Sequence, residues 1–153
     1  MQYWIEVTGD YQWELRKKGK IGLHCQITNR YFNMIKEIHK GDIVLHYCSG
    51  MRTYIKKLKS SLLGISKVKS DIYTERGKYV IDIQNILEFK HLIKFKDFSK
   101  IENPSDKFKF LIHANLQKYI FEIEKSDLIK ILEIHPENKH HILESNIFKT
   151  IFN

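Results

Sequence analysis

At 153 residues the chain has the length of one domain, and 42% hydrophobic with 29% charged residues is an ordinary globular composition. It holds no apolar run near the roughly 18 residues of a membrane helix, its start lacks the basic-then-apolar order of a signal peptide, and its two cysteines, Cys25 and Cys48, neither make a disulfide scaffold nor have zinc spacing. The net charge of +8 lies wholly in the first half: residues 1–80 carry 15 Lys or Arg against 7 Asp or Glu, while 81–153 carry 11 of each.

A lysine-rich genome would raise lysine everywhere. The asymmetry points instead to a basic face that meets phosphates, where clustered cations release condensed counterions. No basic amphipathic helix with Trp or Leu on its other side supports a membrane surface as partner. The expected setting is the cytoplasm, without cofactor, metal or membrane contact.

In chain order, "YWIEV" (3–7) reads as a first strand. "TGDYQWELRKKGK" reads as a turn with one helical turn, since Asp10 can cap and Trp13 follows it. "IGLHCQI" is short and extended, and "NRYFNMIKEIH" fits a helix with Asn29 as cap and Phe32, Ile35 and Ile38 at helical spacing. "DIVLHY", "SLLGISKVKS" and "KYVIDIQNI" read as strands, and "HLIKFKDF" and "KYIFEIE" continue the pattern. Pro104 and Ser105 mark a loop. "SDLIKILEIH" is a helix capped by Ser126, and "HHILESNIFKTIF" a closing one. Several strands with few helices and no regular βαβ rhythm predict an α+β chain built as a small mixed barrel.

Enzyme signatures are missing: the sequence has no GxGxxG, GxxxxGK[ST], GxSxG or HExxH. His135, His140 and His141 in "HPENKHH" lack a Cys or carboxylate at ligand spacing, so no metal is expected there. Asp82 and Glu88 read as strand positions and not as a catalytic pair. No catalytic residue is assigned, and the chain is expected not to be an enzyme.

The most informative stretch is "KGDIVLHYCSG" (40–50). A Gly-Asp turn leads into a buried strand that ends in an aromatic ring and small polar groups, where solvated turn residues are usual. Together with "YWIEV", the Trp-bearing turn, the short "GLHC" segment and a following "G-I-x-x-V" strand (Gly64, Ile65, Val68), this order resembles the EVE and YTH branch of the PUA-like superfamily. The resemblance is strongest over 2–95 and leaves 105–153 as a C-terminal strand–helix extension of a single domain, 1–153. It implies a PUA-like curved mixed β-barrel of about five or six strands flanked by short helices. It also implies a non-catalytic reader that flips a modified base, methylated in the simplest case, out of DNA into an aromatic pocket. Similar domains are the specificity modules of McrB-type modification-dependent restriction systems, so a GTPase motor outside this chain is the implied protein partner. Any nuclease or GTPase activity would reside there.

Carried over by position, the base-binding residues are Thr8, Gly9, Asp10 and Trp13 after the first strand, then Leu23 and His24, then Tyr47 and Ser49, and finally Tyr73. A ring supplies stacking worth about 1–3 kcal/mol per base, and hydroxyl and backbone groups read the base's polar edge. The tryptophan of the YTH "GVW" segment falls at or near Leu23, which leaves one wall aliphatic or given to Trp13 and the identity of the base open. Trp13 and Tyr47 are each as consistent with a core position as with the pocket, and Tyr73 with an ordinary exposed tyrosine. The loop 51–61 carries Arg52, Lys56, Lys57 and Lys59 around Tyr54, a composition suited to lying along a groove, with cations positioning and the ring wedging. Arg16, Lys17, Lys18 and Lys20 extend that face. Two other readings stay open. One is an RNA-binding PUA-like domain that senses the 2′-hydroxyl. The other is an ASCH-like amidohydrolase on modified nucleosides, to which Glu6 and Thr8 would contribute.

Overall fold

A computed structural model describes residues 1–24, 35–50, 53–113, 120–146 and 148–152, with 23, 24, 85, 86 and 150 described by backbone only. The apolar runs form β1 (Tyr3–Thr8), β2 (Lys20–His24), β3 (Ile43–Cys48), β4 (Ser61–Val68), β6 (Lys78–Lys94) and β7 (Ile120–Ile123), and a short polar stretch adds β5 (Tyr73–Glu75). They make one mixed sheet in the order β2-β6-β4-β3-β1-β7, with the three-residue β5 beside β6. β1 and β3 are parallel and the other pairs antiparallel. β5 turns into β6 through Arg76 and Gly77, both at positive φ, the backbone that a two-residue hairpin with the strand's own twist requires. The expected mixed, curved sheet with short helices is what the chain forms, as six strands in line plus β5.

Successive strand residues face opposite sides, and that alternation sorts the core. Ile5, Val7, Ile43, Leu45 and Tyr47 face one cluster, which Phe98, Phe108 and Leu128 complete from the helices and Phe148 from the C-terminal segment. Trp4 and Val44 face the other side, with Ile21, Val68 and Ile81. The Gly-Asp turn earns its place through Asp42. Its buried carboxylate accepts the Gln2 N–H at 2.9 Å, the Trp4 indole N–H at 3.0 Å and the His39 N–H at 2.9 Å, which staples the start of β3 to β1.

Several boundaries differ from those expected. The single helical turn after β1 is a seven-residue helix, α1 (Asp10–Arg16). "HLIKFKDF" is not one strand: β6 runs on to Lys94, then α2 (Phe95–Phe98) turns Phe98 into the core. A helix over Asp106–His113 (α3), a stretch to which no element was assigned, follows the expected loop at Pro104 and Ser105 and buries Phe108 and Leu111 three residues apart. The helix α4 (Lys125–Leu132) is capped by Glu124 and not by Ser126, with Asp127 accepting the Glu124 N–H at 3.0 Å. The closing helix starts earlier, as α5 (Pro136–Glu144), and a separate 3-10 turn follows at Lys149–Phe152. Cys25 and most of the expected 29–39 helix lie outside the described residues.

Candidate nucleic-acid interface

β1 and β3 end side by side, with Thr8 paired to Cys48. There the Ser49 N–H donates to the Thr8 carbonyl at 2.9 Å, and the chain turns at Gly9 into α1, whose Trp13 N–H reaches the Gly9 carbonyl at 2.8 Å. The Gln12 side chain accepts the Gly9 N–H at 2.8 Å and fixes the turn. Thr8, Gly9, Asp10, Trp13 and Ser49 therefore share one end of the sheet. Cys48 and Thr53 join them, the thiol against the Thr53 hydroxyl, and burial pushes the thiol up from its ordinary pKa.

Two rings are not where a cage needs them. Trp13 and Arg16 are three apart on α1, so both turn inward, and the indole is only 3% exposed. It packs on Cys48 and Leu63, with its centroid 5.4 Å from that of the His46 ring. Its far edge rests on Gly64, where an added Cβ would stand 3.1 Å from the indole and 2.6 Å from the Leu87 carbonyl. The polar neighbours Gln12 and Glu14 suggest exposure only if the helix is overlooked. Tyr47, expected at the pocket, is buried in the main core cluster. It faces the opposite side of β3 from His46 and Cys48, packed edge-on to Phe98 at 5.8 Å and against Phe95. Burial raises its hydroxyl pKa. Trp13 and Tyr47 cannot flank one base.

The remaining expected pocket residues sit elsewhere. Leu23 and His24 pair with Tyr79 and Lys78, and Tyr73 with Val80. Those β6 positions lie beyond the Tyr3–Ile43–Lys67–Gln84 row, at the far end of the ladder from Thr8. Tyr73 is in a strand and not a loop. Its hydroxyl donates to Asp82 at 2.6 Å, which raises its pKa, and Lys20 lies over its ring.

Behind Trp13 is a polar network whose assembly the sequence reading missed. The Arg16 guanidinium donates to Glu6 at 2.7 Å, His46 Nδ1 meets the same carboxylate oxygen at 2.9 Å, and His46 Nε2 meets the Ser66 hydroxyl at 2.7 Å. Burial works to raise the Glu6 carboxyl, but the Arg16 charge and the His46 contact outweigh it and hold it below the usual carboxylate range. An ionised carboxylate only accepts, so in the neutral imidazole Nδ1 carries the proton and Nε2 accepts from Ser66. A signal was available: a histidine amid "IVL" on a buried strand needs partners on its own face.

The cations divide in two. Arg16 is buried in its ion pair with Glu6, so it is not a phosphate contact. Lys17 bridges Glu88 at 2.7 Å and Glu14 at 3.2 Å, and the Glu88 bond leads in raising its pKa. Lys20 meets Tyr73 and, at 3.2 Å, Glu75. Among the described residues no carboxylate pairs with Lys18, Lys56, Lys57 or Lys59, and all four are exposed. Arg52 lies outside the described residues. The basic loop is fastened from both sides: Lys94 donates to the Lys57 carbonyl at 2.7 Å, and Asp10 accepts the N–H groups of Tyr54 at 2.7 Å and Ile55 at 3.0 Å.

The EVE-domain family model matches residues 2–134. The chain belongs to the EVE-domain family. Solved structures share this EVE fold at low sequence identity. Rpa0253 from Rhodopseudomonas palustris superposes with a TM-score of 0.67 at 9% identity, covering 92% of this chain and 97% of its own. Human THYN1, solved in complex with 5-methylcytosine-containing DNA, gives 0.63 at 10% identity, covering 88% and 97%. The N-terminal domain of Staphylothermus marinus McrB gives 0.55 at 11% identity, covering 86% and 93%. No curated protein sequence matches the chain. Among the described residues of this EVE domain, no helix is long and apolar enough to cross a membrane, and no group of three or more His, Cys, Asp or Glu is placed to hold a metal ion.

Proposed function

We propose that this EVE domain is a non-catalytic reader of DNA carrying a modified, methylated base, which it flips from the duplex and holds at the joint end of β1 and β3. The observation that carries the reading is the convergence there of Thr8, Gly9 and Ser49, backed by Trp13, with Asp10 fastening the loop that carries the uncompensated lysines of the 56–59 segment beside them. An extruded base needs a flat apolar surface and groups for its polar edge, and the duplex it leaves needs cations along its phosphates. Because Trp13 is sealed, stacking on it requires the side chains that cover it to move. Tyr47, Arg16 and Tyr73 play no part in the site so drawn. The THYN1 complex supports modified DNA as the ligand class, and the McrB likeness supports a place in a restriction system with its GTPase motor outside this chain. The amidohydrolase alternative fits less well, since Glu6 is matched by Arg16 and His46 and not by a lysine.

The test is a binding panel of duplexes and matching single strands bearing 5-methylcytosine, N6-methyladenine or no modification, measured across salt concentrations. The expected result is tighter binding of one modified duplex, with affinity falling linearly on a log–log salt plot. The K56A/K57A/K59A protein should bind modified and unmodified DNA more weakly by the same factor, with a salt slope shallower by about one per lysine. Equal affinity for every duplex would refute modification reading. Stronger binding to RNA than to its DNA counterpart would favour the RNA-binding alternative.

A further inference from the structure

On the outer side of the same sheet end the protein shows an uncommon surface. Tyr54 is 92% exposed and Tyr11 76%, and Ile55, next to Tyr54, and Leu15, one helical turn after Tyr11, are exposed as well. Large rings standing this far into water from structured backbone contribute little to folding, and a contiguous exposed apolar surface marks an interaction site. Tyr11 and Leu15 are four apart on α1 and so lie on one outer face, opposite the buried Trp13 and Arg16.

Both tyrosines are rooted in one carboxylate. Asp10 Oδ1 accepts the Tyr11 N–H at 2.8 Å, while Oδ2 accepts those of Tyr54 at 2.7 Å and Ile55 at 3.0 Å. Asp10 was expected to read the base itself. Its oxygens instead tie a loop to a helix 44 residues away in sequence, and they set the two rings' backbones side by side. The uncompensated cations Lys56, Lys57 and Lys59 follow Tyr54 directly, so whatever meets the rings also meets positive charge. An aromatic face joined to a lysine cluster fits a polyanion with exposed flat rings.

We infer that Tyr11 and Tyr54 form a second nucleobase-binding site, separate from the pocket at Trp13, which stacks on the unpaired or unstacked bases left in the duplex where one base has been withdrawn. Asp10 is its positioning residue. The site takes any base, because every base has a π-face, and it rests on the nucleic-acid reading above without depending on which modification the pocket holds. It stabilises the opened duplex and leaves the closed duplex to the lysines.

The experiment compares, at one low salt concentration, unmodified duplexes of one sequence that are fully paired, carry a single abasic site or carry a single bulged adenine. The full chain should bind the two interrupted duplexes about five- to a hundredfold more tightly than the paired one, the range that stacking of one base supports. Tyr11→Ala and Tyr54→Ala should each reduce that ratio while keeping affinity for the paired duplex and the melting temperature. Asp10→Ala should reduce it in the same way with Tyr11 and Tyr54 present, and a 2-aminopurine placed beside the abasic site should lose its quenching by the protein. An unchanged ratio in both tyrosine variants overturns the inference. So does salt-dependent binding by the full chain that does not prefer interrupted duplexes, and in that case the reader proposal still stands. Absence of binding to all three duplexes also overturns the inference and leaves the reader proposal to the modified-duplex panel.

Discussion

Glu6 is a buried anion whose charge is balanced by Arg16 and steadied by His46, so each member of the set depends on the others. Removing one partner of such a pair leaves an unmatched buried charge, at a cost of about 3–5 kcal/mol. The pH dependence has a definite sign. Because the folded carboxyl lies below its ordinary value, Glu6 contributes stability that is full above the ordinary carboxylate pKa and is lost as pH falls through the folded value. Melting temperatures of the wild-type protein should therefore drop more steeply with acid, below the ordinary carboxylate range, than those of Glu6→Gln. Parallel profiles would mean that the carboxylate is not what acid attacks. The residues of this network were legible singly and not as a set. "YWIEV" and "DIVLHY" announce strands, and alternation puts Glu6 and His46 on the same side as Trp4 and Val44. What brings Arg16 to them is the length of α1, which a polar turn sequence hides.

At the scale of elements, α1 stays on the sheet because β4 offers it a flat place. Gly64 supplies that place: a side chain there would meet the Leu87 carbonyl at 2.6 Å, a backbone atom held in the β4–β6 ladder that cannot move aside, and then the Trp13 indole. Gly64→Ala should consequently destabilise the fold by about 1–3 kcal/mol, as overpacking does, and shift the tryptophan emission as the indole is pushed toward water. A protein with unchanged melting temperature and emission would show that α1 does not depend on this contact. The "G-I-x-x-V" pattern was visible in the sequence, but the partner of its glycine was not, since a close approach between distant segments has no local signature. The same limit explains the helices. In "DKFKFLIH" the alternating Lys and Phe suggest period two, whereas the buried pair, Phe108 and Leu111, is spaced by three, and only the core beneath decides between them. β3 shows the converse: its buried run was plain, but which face Tyr47 took depended on a two-residue period counted from the correct start.

For the whole molecule, the family match ends at residue 134, and the core does not. Ile142, Phe148 and Ile151 come from the stretch beyond it and are 0–2% exposed in the same cluster as β1, β3 and β4. α5 is also clamped to β6 near that strand's C-terminal end. Asn138, itself buried, accepts the His91 N–H at 3.0 Å and donates to the His91 carbonyl at 2.6 Å, while Glu137 pairs with the His91 ring. These two backbone groups of β6 would otherwise lack partners on that side. Burying a large apolar side chain is worth about 1.5–3 kcal/mol. Three of them, with the Asn138 clamp, amount to much of the roughly 5–15 kcal/mol by which a domain is stable at all. A chain shortened to residues 1–134 should thus lose cooperative thermal unfolding, even though it keeps the whole stretch that marks the family and every residue of the proposed site. Calorimetry of the shortened and full chains distinguishes the cases. A sharp transition within a few degrees of the full chain would show that the extension only lies on the domain, and loss of the transition would show that it completes the core.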